Sequence, residues 1–152
     1  MTTITLRRAA LPDLDTLAAL FDAYRQFYEQ APDRAAARAF IAARLRKSES
    51  VLLLAEDAQG RGLGFCQLYP TFCSISAAPV YILSDLFVMP DARKTGTGRQ
   101  LLLAAERQAH TDGMVRMDLT TARTNLAAQS LYESLGWTRD PVFIAYNRPI
   151  AA

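Results

Sequence analysis

The sequence predicts one α/β domain built on a mixed sheet, and three observations lead to that prediction. Apolar residues make up 51% of the 152 residues, which is enough to bury one continuous core without disulfides or a metal. Strand and helix patterns follow one another in the order β-α-α-β-β-β-α-β-α-β-β. No linker, repeat or low-complexity segment interrupts the sequence, so we expect residues 1–152 to form a single domain.

The first half of the sequence contains a strand, two helices and a hairpin. Residues 3–8 alternate as a strand, and Pro12 and Asp13 open a helix whose apolar residues follow a helical period through Phe27. A second helix begins at Asp33 and runs to about Arg46. Turn residues then separate two short apolar strands, which predicts an antiparallel hairpin of residues 51–56 and 62–69.

The second half contains the longest predicted strand and two further helices. After a polar connection at 70–79, this strand covers residues 80–88 and stops before Pro90. Asn125 is a good N-cap for the last helix, and Gly136 ends that helix. The remaining predicted elements are a helix at 98–110, a strand at 114–120 and closing strands at 137–138 and 143–148.

Charge, apolar runs and cysteines exclude several classes of protein. The net charge of +2 is too small to predict nucleic acid as the main partner. No apolar run approaches the roughly 18 residues that span a membrane, and the first residues do not resemble a secretory signal. Cys66 and Cys73 show no metal-ligand spacing, so we expect two reduced thiols, no metal site and a cytoplasmic protein.

The most informative segment is residues 93–99, where a loop with two glycines leads into a helix. Gly96 and Gly98 allow close backbone approach, and the helix start offers unpaired N–H groups, which together suit a pyrophosphate. The spacing does not match the P-loop, and Leu101 stands where the dinucleotide fingerprint needs its third glycine. A glycine-rich turn that merely connects strand to helix is the alternative at this point.

Two motifs in the right order resemble those of the GNAT superfamily. Arg93-x-x-Gly96-x-Gly98, after Asp85-Leu86-Phe87-Val88-x-Pro90, resembles its acetyl-CoA-binding motif. Asn125-x-x-Ala128-x-x-Leu131-Tyr132-x-x-x-Gly136-Trp137 resembles the motif that follows. The resemblance implies a central mixed, mostly antiparallel sheet, flanked by helices, in which the parallel strands 80–88 and 114–120 splay apart. Residues 65–88 have a weaker resemblance to diamine acetyltransferases and to the histone and polyamine acetyltransferase-like group.

The same resemblance implies acetyl-CoA as co-substrate, bound in two parts. Its pyrophosphate is expected on backbone amides of the loop, with Arg93 at the entry. Its pantetheine arm is expected to pair with β-strand backbone and to be flanked on its other side by Asn125 and Ala128. The implied loop residues are Lys94, Thr95, Gly96, Thr97, Gly98 and Arg99, and the implied strand residues are Leu86, Phe87 and Val88.

The resemblance also implies transfer of the acetyl group to a primary amine of a small molecule, polyamine-, amino-acid- or aminoglycoside-like, by direct attack in a ternary complex. Tyr132 occupies the position of the family's general acid and would protonate the departing thiolate. The alternative for Tyr132 is one more core aromatic on the helix face that bears Leu131 and Leu135. Asn125 and Tyr132 are seven residues apart and therefore project from the same side of the helix.

The general base is less determined by the sequence. Asp85 is a carboxylate between apolar residues of a strand, and we weigh a base role and a structural role about equally. Diamine acetyltransferases carry a glutamate immediately before this aspartate, where this sequence has Ser84. Ser84, Tyr28 and Glu29 are candidates for the acceptor pocket.

Two other functions stay open alongside the small-molecule transferase. One is acetylation of protein lysines or N termini, and the other is a non-catalytic acyl-CoA-binding regulatory module. The sequence also leaves open a homodimer, the identity of the amine and the use of other acyl groups.

Overall fold

The computed structural model describes residues 3–152, and the chain forms two compact units, Met1–Thr120 and Thr121–Ala152. The first unit contains short 3-10 turns at Leu11–Asp13 and Pro90–Ala92. The second unit contains α4 (Leu126–Ser134). The elements of the first unit are β1 (Thr5–Arg8), α1 (Leu14–Phe27), α2 (Arg34–Arg46), β2 (Val51–Glu56), β3 (Gly62–Cys73), β4 (Ala78–Val88), α3 (Thr97–Thr111) and β5 (Met117–Asp118).

The strands form one five-stranded sheet in the order β1-β2-β3-β4-β5. Neighbours from β1 to β4 run antiparallel, whereas β4 and β5 are parallel. The predicted mixed, mostly antiparallel sheet is therefore confirmed. A register shift between Gln67 and Leu68 interrupts the pairing of β3 with β4 and changes which residues lie opposite one another.

Helices cover both faces of this sheet. Leu17, Ile41, Leu54 and Phe65 lie in one buried cluster, so α1 and α2 pack together on a single face of the strands. Leu101 of α3 approaches Gly64 from the other face, because successive strand residues point to opposite sides. The central strands of the sheet are thus held between two apolar layers, one formed with α1 and α2 and the other with α3.

Local signals located the helices correctly. The Asp33 carboxylate accepts a hydrogen bond from Ala36 N at 3.0 Å and caps α2, and Asn125 caps α4 in the same way through Ala128 N at 3.2 Å. Helix α3 begins at Thr97, one residue before the predicted start. These caps satisfy backbone N–H groups that a helix start otherwise leaves unpaired.

The predicted polar connection at 70–79 is wrong. Strand β3 continues to Cys73 and β4 begins at Ala78, so the hairpin is longer than its composition suggests. Pairing with β2 ends at Leu68, and beyond it β4 is the strand that pairs with β3 in the described part of the chain. Pro70 is tolerated there because its missing N–H can face the side without a neighbouring strand.

The predicted closing strands at 137–138 and 143–148 are also wrong. Residues 137–152 of the second unit contain no strand. The apolar residues that suggested one are exposed, with Phe143 at 70% and Tyr146 at 89%. A segment of alternating apolar and polar residues becomes a strand only when a neighbouring strand satisfies its backbone hydrogen bonds. The second unit supplies no such neighbouring strand. The predicted strand at 114–120 is shortened to Met117–Asp118.

Across residues 3–152, none of the helices combines the length and the apolar character that crossing a membrane would require.

Candidate active site

The loop between β4 and α3 has an unusual backbone. Lys94 and Gly96 both have positive φ, at 61° and 86°. This conformation is common for glycine and rare for lysine, so the loop holds Lys94 under local strain. Alternating left-handed residues direct successive backbone N–H groups toward one side of a loop, which is the geometry that binds anions.

The N terminus of α3 is open, unlike those of α2 and α4. Its N-cap residue is Gly96, and no side chain caps the helix among the described residues. The N–H groups of its first turn, in Thr97, Gly98 and Arg99, are therefore left for a ligand. The positive end of the helix dipole adds to the attraction for an anion.

Thr95 and Thr97 brace this loop with their side chains. The Thr95 hydroxyl donates to Ala92 O at 2.5 Å and lies 2.8 Å from the Thr97 hydroxyl, and Thr97 is 1% exposed. Both hydroxyls are thus used inside the loop. Any contact of these residues with a cofactor would come from their backbone, as the sequence predicted.

Arg93 is fixed at the start of the loop. Its Nε donates to Val88 O at 2.9 Å, and its guanidinium carbon lies 5.6 Å from the ring centroids of Phe27 and Phe87. These cation–π contacts link the end of α1 to the end of β4. Phe27 was not predicted as a site residue, because nothing in its local sequence distinguishes it from the other aromatic residues of α1.

Beyond Ile82, β4 lacks a neighbouring strand on one side within residues 3–120, although the side chains of Tyr24 and Arg93 donate to Ser84 O and Val88 O. Its parallel pairing with β5 is limited to Tyr81 and Ile82, whereas its pairing with β3 continues to Val88. Leu86, Phe87 and Val88 therefore have no strand neighbour on the β5 side within residues 3–120. This is the splayed arrangement that the resemblance implied.

Gly64 allows β3 and β4 to approach closely at this point. A Cβ at Gly64 would lie 2.5 Å from Phe87 O and 3.2 Å from Val88 Cα. Both neighbours are backbone atoms, which cannot rotate away as a side chain does. The end of β4 thus depends on the absence of a side chain at position 64.

Asp85 is a buried carboxylate on β4. It is 7% exposed, and its Oδ2 accepts a hydrogen bond from Gln67 Nε2 at 2.5 Å. Within residues 3–152, none of the ion pairs involves Asp85. Burial raises the pKa of Asp85 above its usual range, and hydrogen bonds from Gln67, Tyr24 and Ser84 partly oppose that shift.

The candidate acceptor residues are only partly brought together. Tyr28 ends α1, is 42% exposed and packs edge-to-face on Tyr24, whose hydroxyl donates to Ser84 O at 3.2 Å. Glu29 follows with a positive φ of 64° and is exposed. Sequence reasoning missed Tyr24 as a link between α1 and Ser84, because it fits the apolar period of the helix.

Gln67 is the third residue that sequence reasoning missed, after Phe27 and Tyr24. It is fully buried in β3, in the middle of an otherwise apolar run. A polar residue at such a position needs hydrogen-bond partners, and this signal was readable in the sequence. Its partners were not, because they lie 17 and 18 residues away.

The second unit holds Asn125, Ala128 and Tyr132. Asn125 uses its Oδ1 to cap α4 at Ala128 N, and the Tyr132 ring lies 6.0 Å from the ring of Trp137. The capping role of Asn125 is confirmed. The cofactor role of Asn125 and Ala128 and the acid role of Tyr132 stay predictions.

A cavity of about 350 Å³ lies away from these residues. It is bounded by the segment after β1, the end of α2 and the start of β2. Ser50 and Leu52 line it, but none of the predicted site residues does.

Comparison with known proteins identifies the family. An uncharacterized N-acetyltransferase, YhfO, of Bacillus subtilis (strain 168) is 46% identical over 143 residues, which cover 94% of this chain and 95% of the relative. The crystal structure of a probable acetyltransferase has a TM-score of 0.91 and 42% identity, covering 97% of this chain and 99% of that one.

A third similarity is more distant and shows a shared fold. The aminoglycoside N-acetyltransferase AAC(6')-Iy, solved in complex with CoA, has a TM-score of 0.82 at 20% identity, covering 99% of this chain and 97% of that one. The sequence model of the Acetyltransferase (GNAT) family matches residues 17–137, from α1 to the end of the second motif. The chain therefore belongs to the GNAT family of acetyltransferases and has its fold.

Proposed function

We propose that this N-acetyltransferase uses acetyl-CoA to acetylate a primary amine of a small molecule, by direct attack of the amine on the thioester in a ternary complex. One observation carries the proposal: β4 runs from a buried carboxylate, Asp85, toward the uncapped start of helix α3. Asp85 lies three residues before Val88, about 10 Å along the strand, and the loop to α3 follows. Phosphate binding and amine binding are thus expected on one rigid element.

The open N terminus of α3 supports the cofactor half of the proposal. The pyrophosphate of acetyl-CoA would accept hydrogen bonds from the backbone of Lys94 through Arg99, while Arg93 adds charge at the entry. The pantetheine arm would pair with the backbone of Leu86 to Val88 on the side that lacks a neighbouring strand, as an added strand does.

Asp85 supports the amine half. A buried carboxylate without a cationic partner is costly, and a bound ammonium group would supply that partner. The amine must lose a proton before it attacks, and Asp85 would receive it directly or through water. The exposed ring of Tyr28 fits a small acceptor, and the name of the aminoglycoside enzyme with the same fold agrees with this class.

The transfer itself needs two further groups. The amine nitrogen bonds to the thioester carbonyl carbon, and the carbon–sulfur bond then breaks. A backbone N–H of Leu86 to Val88 would donate to the oxyanion of the tetrahedral intermediate. Tyr132 would give its phenolic proton to the CoA thiolate.

The test combines acetyl-CoA binding with a panel of amines. We expect acetyl-CoA to raise the melting temperature in a concentration-dependent way. Polyamines, amino acids, aminoglycosides and lysine peptides should then be scored for free CoA by chromatography, because the Cys73 thiol would interfere with a thiol reagent. Binding without CoA release from any amine would instead identify an acyl-CoA-binding module, and release with peptides alone would identify a protein acetyltransferase.

A further inference from the structure

A chain of buried polar side chains crosses three strands and ends at Asp85. Ser50, immediately before β2, donates its hydroxyl to Gln67 Oε1 at 2.7 Å. Gln67 in β3 donates its Nε2 to Asp85 Oδ2 at 2.5 Å. Ser50 and Asp85 are each 7% exposed and Gln67 is 0% exposed, so the protein largely shields these bonds from bulk solvent.

The direction of every bond in this chain follows from donor chemistry. An ionised carboxylate only accepts hydrogen bonds, so the amide NH₂ of Gln67 must face Asp85. The amide oxygen then faces Ser50, whose hydroxyl must donate. The Asp85 carboxylate therefore sets the orientation of Gln67, and the Ser50 hydroxyl satisfies the amide oxygen that faces away from Asp85. The opposite orientation would place an oxygen against the carboxylate.

The ionisable groups that face Asp85 do not supply a positive charge. Tyr24 approaches from α1, and Cys66 and Tyr69 come from β3. Burial first, and then the charge of Asp85, raises the pKa of the Cys66 thiol and raises the pKa of Tyr69 to about 12. The Cys66 thiol and the Tyr69 phenol are therefore neutral at physiological pH, and a phenol such as Tyr24 carries no positive charge in either of its forms.

Charged groups of the neighbouring elements face Tyr69 rather than Asp85. They are Arg44 of α2 and Glu49 of the following turn, and they form an ion pair with an N–O distance of 3.1 Å. Hydrogen-bond donors, with Gln67 foremost, are thus what stabilises the charge of Asp85.

We propose that Gln67, with its amide oxygen bound by Ser50, is a positioning residue that holds Asp85 as an ionised, fixed carboxylate for the acceptor amine. This inference rests on the proposed function, in which Asp85 binds the amine or takes its proton. It adds two residues that act through Asp85 and touch neither substrate.

The decisive variants are Gln67→Leu and Ser50→Ala. Gln67→Leu keeps a similar side-chain size but removes the donor to Asp85. Ser50→Ala leaves Gln67 in place but removes the hydroxyl that donates to its amide oxygen. Ser50→Thr should retain wild-type behaviour, because it keeps the hydroxyl and its extra methyl group can enter the adjoining cavity. Leu52→Val is the matched control, since Leu52 lies opposite Gln67 in the β2–β3 register and has no polar atom.

The first readout is the pH dependence of kcat/KM for the amine. Loss of a hydrogen bond to a charged group should lower kcat/KM about 10- to 100-fold in Gln67→Leu and move its acid limb to higher pH. Ser50→Ala should shift the limb in the same direction by less. Acetyl-CoA affinity should not change in either variant. Profiles equal to those of Leu52→Val would overturn the proposal.

The second readout needs no substrate and separates this inference from the proposed function. Carbon-13 labelling of aspartate carboxyl groups, with Asp85 assigned through Asp85→Asn, follows ionisation in the apo protein by NMR. Gln67→Leu and Ser50→Ala should raise the titration midpoint of Asp85, whereas Ser50→Thr and Leu52→Val should not. An unchanged midpoint in both Gln67→Leu and Ser50→Ala refutes the inference, whatever the enzyme acetylates.

Discussion

Two glycines of this chain have the same backbone conformation in different places, and they allow the phosphate loop to be tested against a matched control. Gly96 in the loop has φ of 86°, and Gly60 in the β2–β3 turn has φ of 79°. A Cβ at either position would meet no heavy atom within 4 Å. Alanine therefore adds no steric clash at either position, and its effect comes from the backbone conformation alone.

The size of that effect follows from the conformation. An L-residue in the left-handed region costs about 1–2 kcal/mol relative to glycine. For a chain of this length each kcal/mol lowers the melting temperature by about 2–4 °C, so both variants should lose about 2–8 °C. In Gly96→Ala, relief of the strain rotates the N-cap of α3 and turns its first N–H groups away from the ligand. Loss of one such bond to a charged phosphate should weaken acetyl-CoA binding about 10- to 100-fold.

The measurement is calorimetric titration of acetyl-CoA into wild type, Gly96→Ala and Gly60→Ala, together with thermal melts of each apo protein. We expect similar losses of stability in the two variants and a loss of affinity in Gly96→Ala only. If both variants bind acetyl-CoA as the wild type does, the phosphates do not rest on this helix start, and the cofactor site must lie elsewhere.

Three further substitutions probe the chemistry of the protein. Tyr132→Phe should lower kcat about 10²- to 10⁴-fold with little change in KM for acetyl-CoA, measured with an acceptor from the amine panel. An unchanged rate, with an unchanged alkaline limb of the pH–rate profile, would exclude the acid role of Tyr132. Asp85→Asn should lower kcat/KM for the amine yet stabilise the protein at pH 7, measured by urea denaturation. The pKa of Asp85 is raised in the folded protein, so its ionisation destabilises the folded state as pH rises through that pKa. Below pH 3.8 the carboxyl is neutral in both the folded and the unfolded state, and the difference in free energy of unfolding between Asp85→Asn and wild type should vanish. Cys73 should be alkylated by iodoacetamide with an apparent pKa of about 7, because hydrogen bonds from Ser76 lower the pKa of its thiol. Ser76→Ala should raise the pH midpoint of alkylation, and an unchanged midpoint would assign the shift to another group.

The helices and the loop could be predicted because their signals are local. Asp33 and Asn125 cap the helices they were expected to cap, and the glycine loop leads into α3 as expected. The hairpin of β2 and β3 could also be predicted, since strands joined by a short turn pair with each other. The prediction of closing strands failed for a physical reason. An alternating pattern indicates which side chains share a face, but not whether a neighbouring strand exists to pair with them.

The polar chain behind Asp85 could not be predicted in the same way. Gln67 lies opposite Asp85 only because of where the register shift at Leu68 falls, and no local pattern marks that position. The sequence did identify Asp85 as an anomalous carboxylate in an apolar strand. Its partners depend on which strands become neighbours, and that is a property of the whole sheet.

Gly64 has a consequence for anyone who wishes to change the substrate of this enzyme. Any residue other than glycine at this position would push on Phe87 O and displace the end of β4, so random libraries that include it would mostly return inactive proteins. Tyr28 and Glu29, by contrast, are exposed just after α1 and lie outside the sheet. If they line the acceptor pocket as proposed, a library that keeps position 64 fixed and varies positions 28 and 29 would explore new acceptors without altering the end of β4.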